Sequence, residues 1–176
     1  LKKDMKSKFI PLILILIFLI TFVIFFKGLK NSNIYTPDTN LKKEVPSFKL
    51  KSFEDNSIVI SEKIFKDNDY YFMNIWASWC IPCKEEHKFL MELKKDDKIE
   101  LIGFNYKDNF TNASSFLKDL GNPYDIIVSD KDGTASIEWG AYGVPESFLV
   151  YQNKIIKRFI GPINNEDLLE IQKIIR

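Results

Sequence analysis

Between Tyr70 and Ala77 the chain reads YYFMNIWA, then passes through Ser78 and Trp79 straight into Cys80-Ile81-Pro82-Cys83. A continuous apolar and aromatic run predicts a strand covered on both faces, which requires a layer of structure on either side. From Pro82 to Lys95 the periodicity is helical, with Pro82 near the first turn, where a missing N–H is harmless. A doubly covered strand followed at once by a helix begins an α/β layer architecture.

The rest of the body extends that pattern. Phe48–Leu50 and Ser57–Ile60, on either side of Glu54-Asp55-Asn56, read as a short N-terminal hairpin. Ile99 to Tyr106 predicts a second buried strand, and Ala113 to Leu120 a helix stopped by Gly121 and Pro123. Tyr124 to Val128 reads as a short strand and Asp130 to Gly133 as a turn. Ser147–Tyr151 and Ile155–Ile160 form a hairpin through Gln152-Asn153-Lys154, and Asn164 to Arg176 closes as a helix. The expectation is a mixed sheet flanked by helices, with parallel crossovers early and antiparallel pairing late, over residues 43–176.

A different kind of segment precedes this body. From Phe9 to Phe26 every residue is apolar except Pro11 and Thr21, and none is charged. As a helix the run would measure about 27 Å, close to the roughly 30 Å of a bilayer core. Lys2, Lys3, Lys6 and Lys8 precede it, against Lys27 and Lys30 after it. That bias predicts residues 1–8 in the cytoplasm, a single membrane span over 9–26 and the body outside. A cleaved signal peptide would have a shorter apolar region and a small-x-small site, which Lys27-Gly28-Leu29-Lys30 does not offer. Starting at Met5 instead of Leu1 removes two lysines and leaves the reading unchanged. Gly28, Asn31, Ser32, Asn33, Pro37 and Asn40 predict a linker over 27–42.

The 176 residues carry a formal net charge of +1, with lysines scattered among acids, so no basic field points to nucleic acid as a partner. The two cysteines are too few for a multi-bridge framework, and a bridge over so short a loop adds little chain-entropy stabilisation. Chemistry explains them better. A helix N-terminus offers partial positive charge and unpaired N–H groups that stabilise a thiolate, the reactive form of cysteine. Cys80 is thus expected to be the exposed, activated thiol and Cys83, one turn on, the thiol that closes a disulfide onto it.

Cys83, Glu86, Leu90 and Leu93 fall on one helical stripe, opposite Glu85, Lys88 and Glu92. Glu86 is therefore expected near the core, where a carboxyl titrates late and can exchange protons; the alternative is a rim glutamate whose head reaches water. Zinc normally takes four ligands, and His87 is the single histidine, expected as a partly exposed helix residue. A copper site of Cys80, Cys83 and His87, as in a metallochaperone, is the competing use of the pair. No metal or other cofactor is expected beyond the redox-active pair itself. In Tyr142-Gly143-Val144-Pro145-Glu146, a proline at a strand entrance marks a special turn, cis or trans.

These segments together resemble the thioredoxin superfamily. Within it, WASWCIPCKEEH (76–87), NYKD (105–108), LGNPY (120–124) and YGVPE (142–146) are similar to the CcmG/DsbE thiol:disulfide interchange proteins of cytochrome c maturation. The likeness runs from about Val45 to the C-terminus and departs at Pro162, where the family carries an acidic residue after Gly161. The resemblance implies a thioredoxin-like fold and a protein-disulfide reductase anchored in the bacterial inner membrane and facing the periplasm. It implies electrons from a membrane thiol transporter of the DsbD or CcdA kind. They pass to the CxxCH site of apocytochrome c or to a partner thiol protein. Cys80 would attack, Cys83 resolve, and Glu86 act as the buried acid. Pro145 would be a cis-proline beside the cysteines, in a substrate groove also lined by Trp79, Ile81, Pro82, Val144 and Glu146. A broader reductase of the TlpA or ResA type is the nearest alternative.

Overall fold

The apolar run is helical well beyond its own limits. In a computed structural model that describes residues 3–30, 43–65 and 69–176, helix α1 spans Lys3–Lys30. Every side chain from Ile10 to Gly28 is exposed. Thr21, the polar residue inside the run, donates its hydroxyl to the carbonyls of Ile17 (3.0 Å) and Phe18 (2.9 Å). A polar group satisfied by its own helix can sit in a medium without water. Helix α1 thus runs through Lys27 into the first residues of the stretch expected as a linker. The remainder of that linker, residues 31–42, lies outside the described residues.

The chain divides into two units, Leu1–Pro37 and Asp38–Arg176. The second contains β1 (Lys43–Glu44), β2 (Lys49–Ser52), β3 (Val59–Ser61), β4 (Tyr70–Trp76), α2 (Ile81–Leu93), β5 (Ile99–Tyr106) and α3 (Phe110–Leu120). It continues with β6 (Ile126–Asp130), α4 (Thr134–Glu138), β7 (Glu146–Tyr151), β8 (Lys154–Ile160) and α5 (Asn165–Ile174). The strands make one mixed sheet in the order β1-β8-β7-β4-β5-β6-β2-β3. β4 at its centre pairs parallel with β5 and antiparallel with β7.

Alternation along β4 builds two cores. Phe72 and Trp76 face the layer of α2, α3 and α5, packing with Leu90, Leu93, Leu117, Leu168 and Ile171. Tyr71, Met73 and Ile75 face the other way, toward Val45, Phe48, Phe65, Ala135 and Trp139. Asn74 shares the parity of Phe72 and Trp76 and is fully buried, so a carboxamide lies in the middle of the first core.

Several boundaries differ from the sequence expectation for local reasons. α3 starts at Phe110 instead of Ala113 because Asn109 caps it, its side chain accepting from the N–H groups of Thr111 and Asn112. β6 starts at Ile126, not Tyr124, because Tyr124 turns its side chain into the core and the Asp125 carboxylate takes the Leu101 N–H. α4 and β1 were not expected at all: one is five residues long, the other two, and each depends on distant partners.

Candidate active site

β4 ends at Trp76 and the chain turns so that Cys80 becomes the N-cap of α2. Its Sγ accepts the backbone N–H of Cys83 at 3.1 Å, a direct contact between the sulfur and an orphan donor of the helix end. Cys80 and Cys83 form a disulfide with their Cα atoms 5.3 Å apart. In this oxidised form Cys80 is only 5% exposed. Its sulfur is turned inward to Cys83, while Trp79, Ile81 and Pro82 form the exposed apolar rim.

The loop ahead of Cys80 is held by Asp108. Its carboxylate accepts from the Ser78 N–H (2.5 Å), the Ser78 hydroxyl (2.8 Å) and the Asn105 amide (3.1 Å), and the Trp79 indole donates to the Lys107 carbonyl (3.2 Å). The sequence marks this segment only as a family-like stretch. Its task, fixing the approach to the helix N-terminus, requires tertiary contact to see.

The Val144–Pro145 bond is cis. Pro145 is buried at the entrance to β7, and half-buried Val144 packs against the core cluster that includes Cys80 and Cys83. Glu146 does not line a surface groove, contrary to expectation. It is 2% exposed, and its Oε2 accepts from Arg158 Nε (3.0 Å) and a terminal guanidinium nitrogen (2.5 Å). Oε1 accepts the Tyr142 N–H at 2.8 Å, and the Arg158 guanidinium lies 4.8 Å from the Tyr142 ring. The pair thus braces the loop before Pro145 from inside. Across the β7–β8 hairpin, Arg158 pairs with Phe148 and shares the face on which Glu146 points, so the two charges meet in the core.

Glu86 sits at the centre of the other core, 1% exposed and three residues beyond Cys83 on the same face of α2. Its Oε1 accepts from the Asn74 amide at 2.9 Å, and its Oε2 accepts the Ile163 N–H at 2.9 Å. Asn74 also donates to Ser147 Oγ (2.9 Å) and accepts from the Tyr124 hydroxyl (2.6 Å). Among the described residues no cation joins this network. Burial pushes the Glu86 carboxyl up to about 7, partly offset by the Ile163 and Asn74 hydrogen bonds. Burial, and secondarily the Glu86 charge, hold the Tyr124 phenol well above its usual range. Gly103 makes the arrangement possible: a Cβ there would lie 2.8 Å from Trp76 Nε1 and 2.9 Å from Tyr124 Cγ, breaking the stack of those rings. Sequence reasoning singled out neither Asn74 nor Ser147. The available signal was a polar residue in an otherwise apolar strand.

A family profile described as Redoxin matches residues 40–175. The chain belongs to the redoxin family. This redoxin is 35% identical over 165 residues to the thiol:disulfide interchange protein DsbE of Yersinia pestis, covering 91% of this chain and 86% of that protein. It is 48% identical over 99 residues to the thiol:disulfide interchange protein CycY of Rhizobium leguminosarum bv. viciae, 56% and 53% of the two chains. The crystal structure of StoA from Bacillus subtilis shares its fold with a TM-score of 0.57 at 27% identity, over 73% of this chain and 97% of that one. The fold is thioredoxin-like and the redoxin is a protein-disulfide oxidoreductase of the thiol:disulfide interchange kind.

His87 in this redoxin is 3% exposed, not partly exposed as expected. Its Nε2–H donates to the Gly121 carbonyl at 2.9 Å, and its ring meets Phe116 edge-on. Burial lowers its pKa, against the pull of that hydrogen bond. The closure of α3 and its Gly121 cap over α2 buries the ring, a contact that helical periodicity alone does not reveal. Among the described residues no group of three or more His, Cys, Asp or Glu side chains is arranged to hold a metal ion.

Proposed function

We propose that α1 tethers this redoxin to the bacterial inner membrane as a single span, with residues 1–8 cytoplasmic and the catalytic unit in the periplasm. There it reduces the disulfide at the CxxCH haem-attachment site of an apocytochrome c, or of a partner thiol protein of that maturation system. The observation that carries the reading is Glu86: a buried carboxyl with no counter-charge, on the Cys83 face of the helix, with its midpoint at about 7.

The exchange runs in two displacements. The Cys80 thiolate, stabilised by the helix end, attacks one substrate sulfur; the substrate S–S bond breaks and a mixed disulfide forms. Glu86, as the carboxylate, takes the proton of the Cys83 thiol. The Cys83 thiolate then attacks Cys80 Sγ, forming the internal disulfide and releasing the second substrate thiolate, which is protonated from solvent. Two electrons pass from the Cys80–Cys83 dithiol to the substrate. The substrate segment lies along Val144 and Pro145, against Trp79, Ile81 and Pro82. A membrane thiol transporter of the DsbD or CcdA kind restores the dithiol.

The Cys80–Cys83 couple is expected to equilibrate with glutathione at a reducing potential, and a value as oxidising as about −120 mV would sink the reductant reading. The reduced protein is also expected to reduce an oxidised CxxCH peptide faster than glutathione disulfide. Equal rates on the two would mark a general reductase of the TlpA or ResA type.

A further inference from the structure

The hydrogen bonds around Glu86 can be satisfied in one way when it is ionised and only in another when it is protonated. Oε2 faces the backbone N–H of Ile163, which can only donate, so a proton on Glu86 belongs on Oε1. The partner of Oε1 is the Asn74 amide nitrogen, also a donor. Asn74, Glu86 and Ser147 are at most 1% exposed and Tyr124 is 5% exposed, so no bulk water can resolve a donor–donor clash. A half-turn of the Asn74 carboxamide removes the clash, leaving one of its two N–H groups without a partner. Its Oδ1 then accepts from protonated Glu86, and its amide donates to the Tyr124 oxygen. The Ser147 hydroxyl serves both states, accepting from the amide in one and donating to Oδ1 in the other.

We propose that Asn74 and Tyr124 are positioning residues for Glu86, and that the Asn74 carboxamide turns over when Glu86 takes up a proton. The inference rests on reading Glu86 as the proton acceptor of Cys83 and says how its charge is set. Tyr124 biases the switch. In the ionised state its hydroxyl donates to Asn74 at 2.6 Å, whereas in the protonated state it accepts and leaves its own proton without that partner. The phenol therefore favours ionised Glu86, the form ready to take a proton from Cys83. Other titratable groups nearby are turned elsewhere: His87 bonds to Gly121, and Glu146 with Arg158 occupies the opposite face of the sheet.

The test uses the full chain in detergent micelles, oxidised so that neither thiol titrates, with 13C-labelled glutamate carboxyls and 15N-labelled asparagine amides. A Glu86→Gln sample identifies the Glu86 signal. The Asn74 amide resonances are expected to move with the same midpoint as the Glu86 carboxyl carbon. Tyr124→Phe, a conservative change, removes one hydrogen bond from each state but strips Asn74 Oδ1 of its donor only in the ionised one, and is expected to raise the proton affinity of Glu86 by about 3- to 10-fold. An Asn74 signal that ignores the Glu86 transition, or an unmoved midpoint in Tyr124→Phe, overturns the switch. Failure of the parent reading looks different: a Glu86→Gln chain that exchanges disulfides at wild-type speed overturns Glu86 as proton acceptor, whatever the two midpoints show.

Discussion

Two glutamates, Glu86 and Glu146, are equally buried on opposite faces of one sheet, and their surroundings give them opposite roles. Glu146 meets a guanidinium that is itself 4% exposed and spends both oxygens on fixed donors. Among the described residues Glu86 meets neutral donors alone, an amide and a backbone N–H. A buried charge with a counter-charge is a clamp, and removing its partner strands it. A buried acid without one has its protonation balanced near neutrality, and balance is what proton transfer at that pH needs. Burial alone therefore does not identify a catalytic carboxyl; the charge of its neighbours does.

The sharpest way to break the contrast is at the clamp. Arg158→Leu is expected to cost about 3–5 kcal/mol of folding stability by leaving Glu146 buried and unpaired. Chemical denaturation of the full chain measures it. Adding Glu146→Gln should restore much of the loss, and no recovery in the double variant would mean that Arg158 acts by packing on Tyr142 and Phe148 instead.

At Glu86 the expected effect lies in the pH profile. The folded carboxyl titrates at about 7 against 4.5 when free, so the folded state holds its proton more tightly. That contribution is whole below pH 4.5 and is lost as pH rises through about 7, a loss of about 3 kcal/mol in all. His87, whose pKa is lowered, acts in the opposite sense: its contribution is present above its free value and lost as pH falls. Glu86→Gln should remove the decline between pH 4.5 and 7 and leave the histidine-dependent fall at acid pH. If the decline persists in Glu86→Gln, another group causes it.

These two sites were not equally readable in the sequence. Glu86 emerges from the spacing of Cys83, Leu90 and Leu93 because helical periodicity is local. Its direct partners, Asn74 and the Ile163 N–H, and the Tyr124 and Ser147 groups that bond to Asn74, come from four further segments, which only the tertiary fold brings together. The mixed sheet was readable for the same reason as the stripe: Tyr70–Trp76 and Ile99–Tyr106 are largely apolar, local runs. Glu146 was misread because its partner lies across a hairpin whose register shifts between Leu149 and Val150. His87 was misread because Phe116 and Gly121 cover it from another helix.

Gly103→Ala probes how tightly the Glu86 side is built. The added methyl would enter the space of Trp76 and Tyr124, and an overpacked core of this kind typically loses about 1–3 kcal/mol. Because Tyr124 bonds to Asn74, the Glu86 midpoint should move as well. A stability loss with an unmoved midpoint would separate packing from the polar network.

Ser147→Ala should have the smallest effect. The hydroxyl accepts one bond from Asn74, worth about 1 kcal/mol. Since it can accept or donate, it serves either orientation of the carboxamide and should not favour one. The cost of Ser147→Ala is therefore expected to be the same at pH 5 and pH 8.5, measured as the difference in denaturation midpoints from wild type. A larger cost at pH 8.5 would mean that Ser147 supports the ionised state in particular, and would shift to Ser147 a share of the bias that Tyr124 carries. An equal cost leaves the Tyr124 phenol as the group in the network that distinguishes the two states of Glu86.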